Sequence, residues 1–265
     1  MSELENDWAL ILGSSSGFGE ATARKLASEG MNIAGIHFDR KSDMPRIEEL
    51  ISDLESEGAE VCYLNKNAAS EKTRDKMIGE LQERIGADEQ LRVMMHSLAF
   101  GTLKRYVNAE EDEDTITEKQ MDMTLNVMAH TLVYWTQDLT DEDLLEEGSR
   151  IFAMTSAGGH TAWPYYGAVS AAKASLEAHI RQLAVELGDE GVCVNAIQAG
   201  VTDTPALRKI PGSDSMLSHA KEVNPSGRLT QPEDVADAIA LLSREGSHFV
   251  TGNIIRCDGG EDIAS

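Results

Sequence analysis

Apolar positions along the chain follow two alternating periods. Short runs of strand length, Trp8 to Leu12, Ile33 to Phe38, Glu60 to Leu64, Leu91 to Leu98, Arg150 to Thr155, Val192 to Ile197 and Gly252 to Cys257, alternate with segments of helical character. In the first such segment Ala21, Ala23, Leu26 and Ala27 share a face, and in the second Ile47, Leu50, Ile51 and Leu54 do so. Lys72 to Ile85, Glu118 to Trp135, Tyr166 to Leu187 and Pro232 to Leu242 continue the series. Strands alternating with helices predict an α/β fold, a doubly wound and mostly parallel sheet with helices on both faces. No repeat, low-complexity tract or linker interrupts the pattern, so residues 1–265 read as a single domain.

Charge narrows the partners. The chain carries 46 acidic against 23 basic residues, a formal net charge of −23. Binding phosphates of a nucleic acid needs a basic face, which this balance opposes. A solvated acidic surface accounts for the excess, and a high-salt environment would favour it through solubility. The densest runs, Glu110 to Asp114 and Thr140 to Glu147, read as exposed loops or helix ends. No apolar run approaches the roughly 20 residues of a membrane span. The first residues, MSELENDW, are acidic where a secretory signal is basic and apolar. Cys62, Cys193 and Cys257 are odd in number and lie in separate apolar runs, as reduced core thiols do; no metal-ligand spacing is present. A cytoplasmic location is expected.

Gly13, Gly17 and Gly19 form GxxxGxG between the first strand and the first helix, with Ser15, Ser16 and Phe18 among them. Glycines there permit a tight turn and let backbone amides approach a pyrophosphate at the positive end of a helix. With this spacing the sequence resembles the short-chain dehydrogenase/reductase family, although Leu12 departs from the family's threonine. Asn126, Ser156, Lys173, Asn195, Ala199-Gly200, Thr204 and Asp258-Gly259-Gly260 fall at the family's markers over nearly the whole chain. The resemblance implies a Rossmann-like fold and a nicotinamide dinucleotide. It places the second strand's end, His37-Phe38-Asp39-Arg40-Lys41, at the adenosine ribose. A carboxylate there suits a free 2′-hydroxyl and a cation suits a 2′-phosphate, so Arg40 with Lys41 favours NADPH, with NADH as the alternative that Asp39 supports. Asn67 and Ala68 would lie near adenine, Gly200 and Thr204 nearer the nicotinamide, and Leu98 would also contact the cofactor.

Lys173 follows Tyr166 by seven residues, which returns to within about 20° of the same helix face; Tyr165, eight away, is displaced by about 80°. Tyr165 therefore reads as a packing or pocket-wall residue. The family's commonest arrangement is YxxxK, yet four before Lys173 stands Val169, which donates nothing. Y-x6-K resembles the enoyl-acyl carrier protein reductases of the family, as do His96-Ser97-Leu98-Ala99-Phe100-Gly101 and Lys173-Ala174-Ser175-Leu176-Glu177-Ala178. That resemblance implies NAD(P)H-dependent reduction of the 2,3 double bond of an enoyl thioester carried on protein or coenzyme A. Tyr166 would serve the developing enolate and Lys173 would hold the nicotinamide ribose, while Asn126 would hold a relay water. Ser156 stands where ordinary members carry a helper serine, which keeps open a carbonyl reductase or alcohol dehydrogenase acting on a 3-keto or 3-hydroxy acyl group or another small substrate. A nucleotide-binding regulator without turnover is the third reading. His96 and His160 lack a paired nucleophile and read as structural or pocket-lining. Residues of about 205–225, without clean periodicity, read as a substrate lid; the net charge would slow encounter with an acidic carrier protein unless Arg208, Lys209 and Lys221 form a basic patch beside that lid. The resemblance also implies a homotetramer, assembled through the long helices of the active site and the last strand.

Overall fold

Seven of the apolar runs become strands: β1 (Trp8–Leu12), β2 (Asn32–His37), β3 (Val61–Asn65), β4 (Leu91–His96), β5 (Arg150–Ser156), β6 (Cys193–Ala199) and β7 (Ile254–Cys257). The computed structural model describes residues 3–108 and 114–264, so of the acidic run Glu110 to Asp114 only Asp114 lies among the described residues. The strands form one sheet in the order β3-β2-β1-β4-β5-β6-β7, with every neighbouring pair parallel. Leu12 pairs with both Ile36 and His96, and Ser156 pairs with Ala199, so the carboxyl ends of the central strands open on one edge. The order reverses between β1 and β4, and a doubly wound sheet places its ligand crevice at that switch.

Helices α1 (Gly17–Ser28), α2 (Met44–Ser56), α3 (Glu71–Arg84), α4 (Glu118–Leu125), α5 (Thr131–Asp141), α6 (Gly167–Glu186), α7 (Ser213–Val223), α8 (Pro232–Leu242) and the short α9 (Glu261–Ala264) cover the sheet. Side chains alternate across a strand, and β1 shows the result. Trp8, Leu10 and Leu12 join a core with Leu81, Trp135 and Leu176 on one face, whereas Ala9 and Ile11 join Leu26, Leu50 and Ile239 on the other. All five β1 residues are buried, as a strand covered on both sides requires. Cys62 and Cys193 are buried and Cys257 is half-buried, all three as free thiols. Among the described residues, no helix is long and apolar enough to cross a membrane.

Three expectations are corrected. The helix expected to end at Trp135 runs to Asp141, and a π-helical turn at Asn126–His130 divides it. The Thr131 hydroxyl donates to the Asn126 carbonyl at 2.7 Å, five residues back, which favours the wide turn; Thr136 and Thr140 bond the carbonyls four residues back and carry the helix through a polar stretch. The last strand starts at Ile254 instead of Gly252, because the side chains of Thr251 and Asn195 take the Val194 and Asn253 N–H groups and only part of the backbone ladder is left there. The aperiodic stretch after β6 contains an 11-residue helix, α7, of which only Ala220 is buried, so apolar spacing could not mark it.

Candidate active site

The glycine loop is shaped by contacts that exclude side chains. Gly13 has φ +91°, its N–H donates to the Ile36 carbonyl at 2.8 Å, and a Cβ there would lie 2.6 Å from the Ser97 carbonyl oxygen. A Cβ on Gly19 would lie 2.0 Å from the Gly13 carbonyl oxygen, so turn and helix touch through backbone alone. Ser15 is buried, and Ser16, the residue before α1, caps the helix with no side-chain hydrogen bond. The first amides of α1 are thereby left to an anion at the β1–β4 switch. This cradle fits a dinucleotide pyrophosphate. Leu98 supports it, 3.5 Å from the Cβ position of Gly13.

At the far end of the crevice Asp39 accepts from His37 Nδ1 at 3.0 Å, and its backbone is clasped by the Asn65 amide. Burial holds His37 below the usual imidazole range despite Asp39. Arg40 is exposed and leads into a short turn. Arg46, which sequence reasoning missed, reaches the phosphate loop: it donates to the Ser15 carbonyl at 2.5 Å and to Glu20 at 2.9 Å. Its signal was a cation in the first turn of the second helix, visible only once that helix's start was placed. Asn67 is exposed, its Oδ1 accepting from the Ala69 N–H at 3.0 Å, while the buried Ala68 offers its carbonyl to Trp135 Nε1 at 2.9 Å.

Beyond the loop a cavity of about 260 Å³ opens, with Phe18, Ser156, Tyr166, Gly200 and Thr204 on its wall. Tyr166 immediately precedes α6, and its hydroxyl lies 3.5 Å from Ser156 Oγ. Burial raises the phenol above its ordinary value, with Ser156 opposing, so it stays protonated at neutral pH. Lys173 stands two turns along α6, behind the wall, and is 6% exposed; its ammonium donates to the Met154 carbonyl at 2.7 Å. Burial lowers it to about 8, with Glu177 opposing. His96, fully buried at the end of β4, is lowered by burial and by Lys173 to about 3 and is neutral. Tyr165 has φ +65° and lies beneath the Arg105 guanidinium, 4.8 Å from its ring centre, away from the cavity wall. Val169 is buried and packs where a Cβ on Gly101 would come within 2.8 Å of it.

Other sequence-derived candidates are divided between the wall and its surroundings. Asn126 starts the π-helical turn, is half-buried and is off the cavity wall, and its side-chain amide has no hydrogen-bond partner among the described residues. His160 is exposed and pairs with Asp262 at 3.0 Å. The Thr204 hydroxyl accepts from the Leu207 N–H at 3.2 Å, which leaves its own proton available to a ligand. Of the three cations that a basic patch would use, Arg208 is held by Asp203 through two contacts of 2.6 Å and by Asp214 of α7 at 2.7 Å, so its charge is matched locally. Lys209 does reach the cavity wall.

A parallel sheet of this order, a glycine cradle at its switch point and a Tyr166–Lys173 pair beside a cavity define a dinucleotide-dependent oxidoreductase of the short-chain dehydrogenase/reductase class. The chain belongs to the family described as Enoyl-(Acyl carrier protein) reductase, whose model matches residues 13–261. Among curated proteins, the Escherichia coli (strain K12) enoyl-[acyl-carrier-protein] reductase [NADH] FabI is 29% identical over 247 residues, covering 92% of this chain and 88% of that protein. The (2S)-[(R)-hydroxy(phenyl)methyl]succinyl-CoA dehydrogenase subunit BbsD of Thauera aromatica is 26% identical over 266 residues, 98% of each chain. Among solved structures, the enoyl-[acyl-carrier-protein] reductase (NADH) of Aquifex aeolicus superposes with a TM-score of 0.85 at 24% identity, over 99% of this chain and 98% of that one.

Proposed function

We propose that this protein reduces the 2,3 double bond of an enoyl thioester, with NADPH as its preferred cofactor. The observation that carries the reading is the hydroxyl at the cavity wall: Tyr166 supplies it, seven residues before Lys173, while the usual position is filled by the packed and inert Val169. When bound, the reduced nicotinamide supplies the hydride that adds to the β-carbon of the thioester. The negative charge then gathers on the thioester carbonyl oxygen, three bonds from that carbon. Tyr166, protonated and at the wall, donates to that oxygen. Lys173, cationic and just behind, adds positive potential and holds the nicotinamide ribose. The loop of Gly13, Ser15, Ser16, Gly17, Phe18 and Gly19 receives the pyrophosphate, and Gly200 and Thr204 border the nicotinamide. Arg40 and Lys41 follow β2 at the adenosine end, where Asp39 is already occupied by His37, and Arg46 reaches the phosphate loop beside them, which favours a 2′-phosphate. The turn at Leu207–Lys209 and α7 form the lid. A homotetramer through α4–α5, α6 and β7 and a cytoplasmic location complete the proposal; the free thiols support a reducing compartment.

Carbonyl reduction is the second reading, favoured by Ser156 at 3.5 Å from the phenol, where a hydroxyl pair suits a ketone oxygen. NADPH and NADH oxidation on adding crotonyl-CoA, a longer trans-2-enoyl thioester or a matched 3-ketoacyl thioester separates the two. Turnover of enoyl substrates only, faster with NADPH and reduced about 10²–10⁴-fold in Tyr166→Phe, is the expected result. Keto-only turnover would overturn it, and cofactor binding with no turnover would point to a regulator.

A further inference from the structure

Glu177 is a buried carboxylate that the reaction above does not use. It is 8% exposed and lies one turn beyond Lys173 on the same face of α6, since four residues return close to the starting direction. A charge in such a place persists only when it is paired or hydrogen-bonded. The Thr155 hydroxyl, at the end of β5 and on the cavity wall, donates to Glu177 Oε1 at 2.6 Å. The turn after β5 leaves room for the same oxygen: a Cβ on Gly159 would lie 2.6 Å from it. Three elements therefore meet on one carboxylate beside the buried lysine.

We propose that Glu177 is a positioning residue of the active site, a fixed buried counter-charge, held by Thr155 and sheltered by Gly159, that keeps Lys173 cationic. The inference rests on the reading of Lys173 as the cation of the reaction centre. Among the described residues Glu177 is the one negative neighbour of that ammonium: β4 contributes His96, which is neutral, and β5 contributes the Met154 carbonyl. Burial alone pushes Lys173 toward losing its proton, and Glu177 is the group that opposes this. The charge interaction acts at a distance beyond direct contact, because the ammonium itself bonds to Met154.

Glu177→Gln keeps the shape and still accepts from Thr155 but removes the charge. Lys173 then loses its proton at lower pH, and the alkaline limb of kcat/KM moves toward acid by about one pH unit. Binding of NADPH, followed by its fluorescence, weakens severalfold at pH 8.5 and hardly at pH 6. Without cofactor, the melting temperature of the variant falls short of the parent's most at pH 6, where Lys173 is cationic in both folded proteins. The shortfall closes above about pH 8, where both have lost that proton. Gly159→Ala, which forces the carboxylate to move while keeping its charge, displaces the limb as well. An unmoved limb in Gly159→Ala, or a melting shortfall in Glu177→Gln that is the same at every pH, overturns the proposal and leaves Glu177 a packing residue. A pH-dependent shortfall with cofactor affinity unaltered at both pH values would support the charge pairing and instead overturn the cofactor role of Lys173.

Discussion

At the residue scale the proposed reaction relies on the half-buried Tyr166 and the buried Lys173, driven in opposite senses by one cause. Burial favours neutral forms, so it keeps the Tyr166 proton on and draws the Lys173 proton off. The phenol remains a donor through neutral and mildly alkaline pH, whereas the ammonium is cationic below about 8 and neutral above it. Turnover that needs both therefore holds level from pH 6 to 7 and declines as pH rises through about 8, because the lysine is the first of the two to titrate. A steady-state pH profile of kcat/KM checks this; a profile flat to pH 10 would show that the ammonium is not required. The Tyr166–Lys173 relation was legible in sequence because both lie at one helix and its period alone aligns them. Glu177 was not, since its meaning comes from Thr155, twenty-two residues earlier and on a different element. Arg208 misled for the reverse reason: as a letter it is a cation, and in the fold Asp203 and Asp214 have matched it.

At the scale of elements, the strand–loop–helix at the start of the chain sets where a dinucleotide can lie. Sequence spacing exposed this unit because glycines were needed at fixed offsets, and the close approaches at Gly13 and Gly19 give the reason. Gly19→Ala would place a methyl 2.0 Å from a backbone oxygen and force α1 away from the turn. Overpacking of this kind costs about 1–3 kcal/mol. The cradle should be lost with it, so calorimetric titration with NADPH is expected to show affinity lowered at least about tenfold alongside the reduced melting temperature. Undiminished affinity would place the pyrophosphate elsewhere. Elements held by apolar period were read correctly in kind, with ends displaced by a few residues. The π-helical turn at Asn126–His130 and helix α7 escaped because a threonine hydroxyl makes the first and few buried side chains mark the second.

At the scale of the molecule, a formal charge of −23 spread over a parallel α/β sandwich repels itself. The matched pairs Arg24–Glu20, Arg84–Glu60 and Arg228–Asp234 use basic residues locally and leave the acidic excess exposed to screening. The melting temperature should therefore rise between 0.05 M and 1 M KCl, as scanning calorimetry can record; a fall would mean that ion pairs contribute more than repulsion removes. The charge was fully legible in sequence, and so was the class of sheet. In the proposed reading the chemistry within the class turns on one hydroxyl, that of Tyr166, and on whether Ser156 shares its task.

Reaction with NADPH carrying deuterium at the transferred position, in a mixture of a trans-2-enoyl thioester and its 3-keto counterpart, resolves that point by mass spectrometry of the products. Reduction of the double bond predicts deuterium on the methylene at carbon 3 of a saturated acyl chain. Deuterium on a hydroxyl-bearing carbon 3 would contradict it and assign the site to carbonyl reduction.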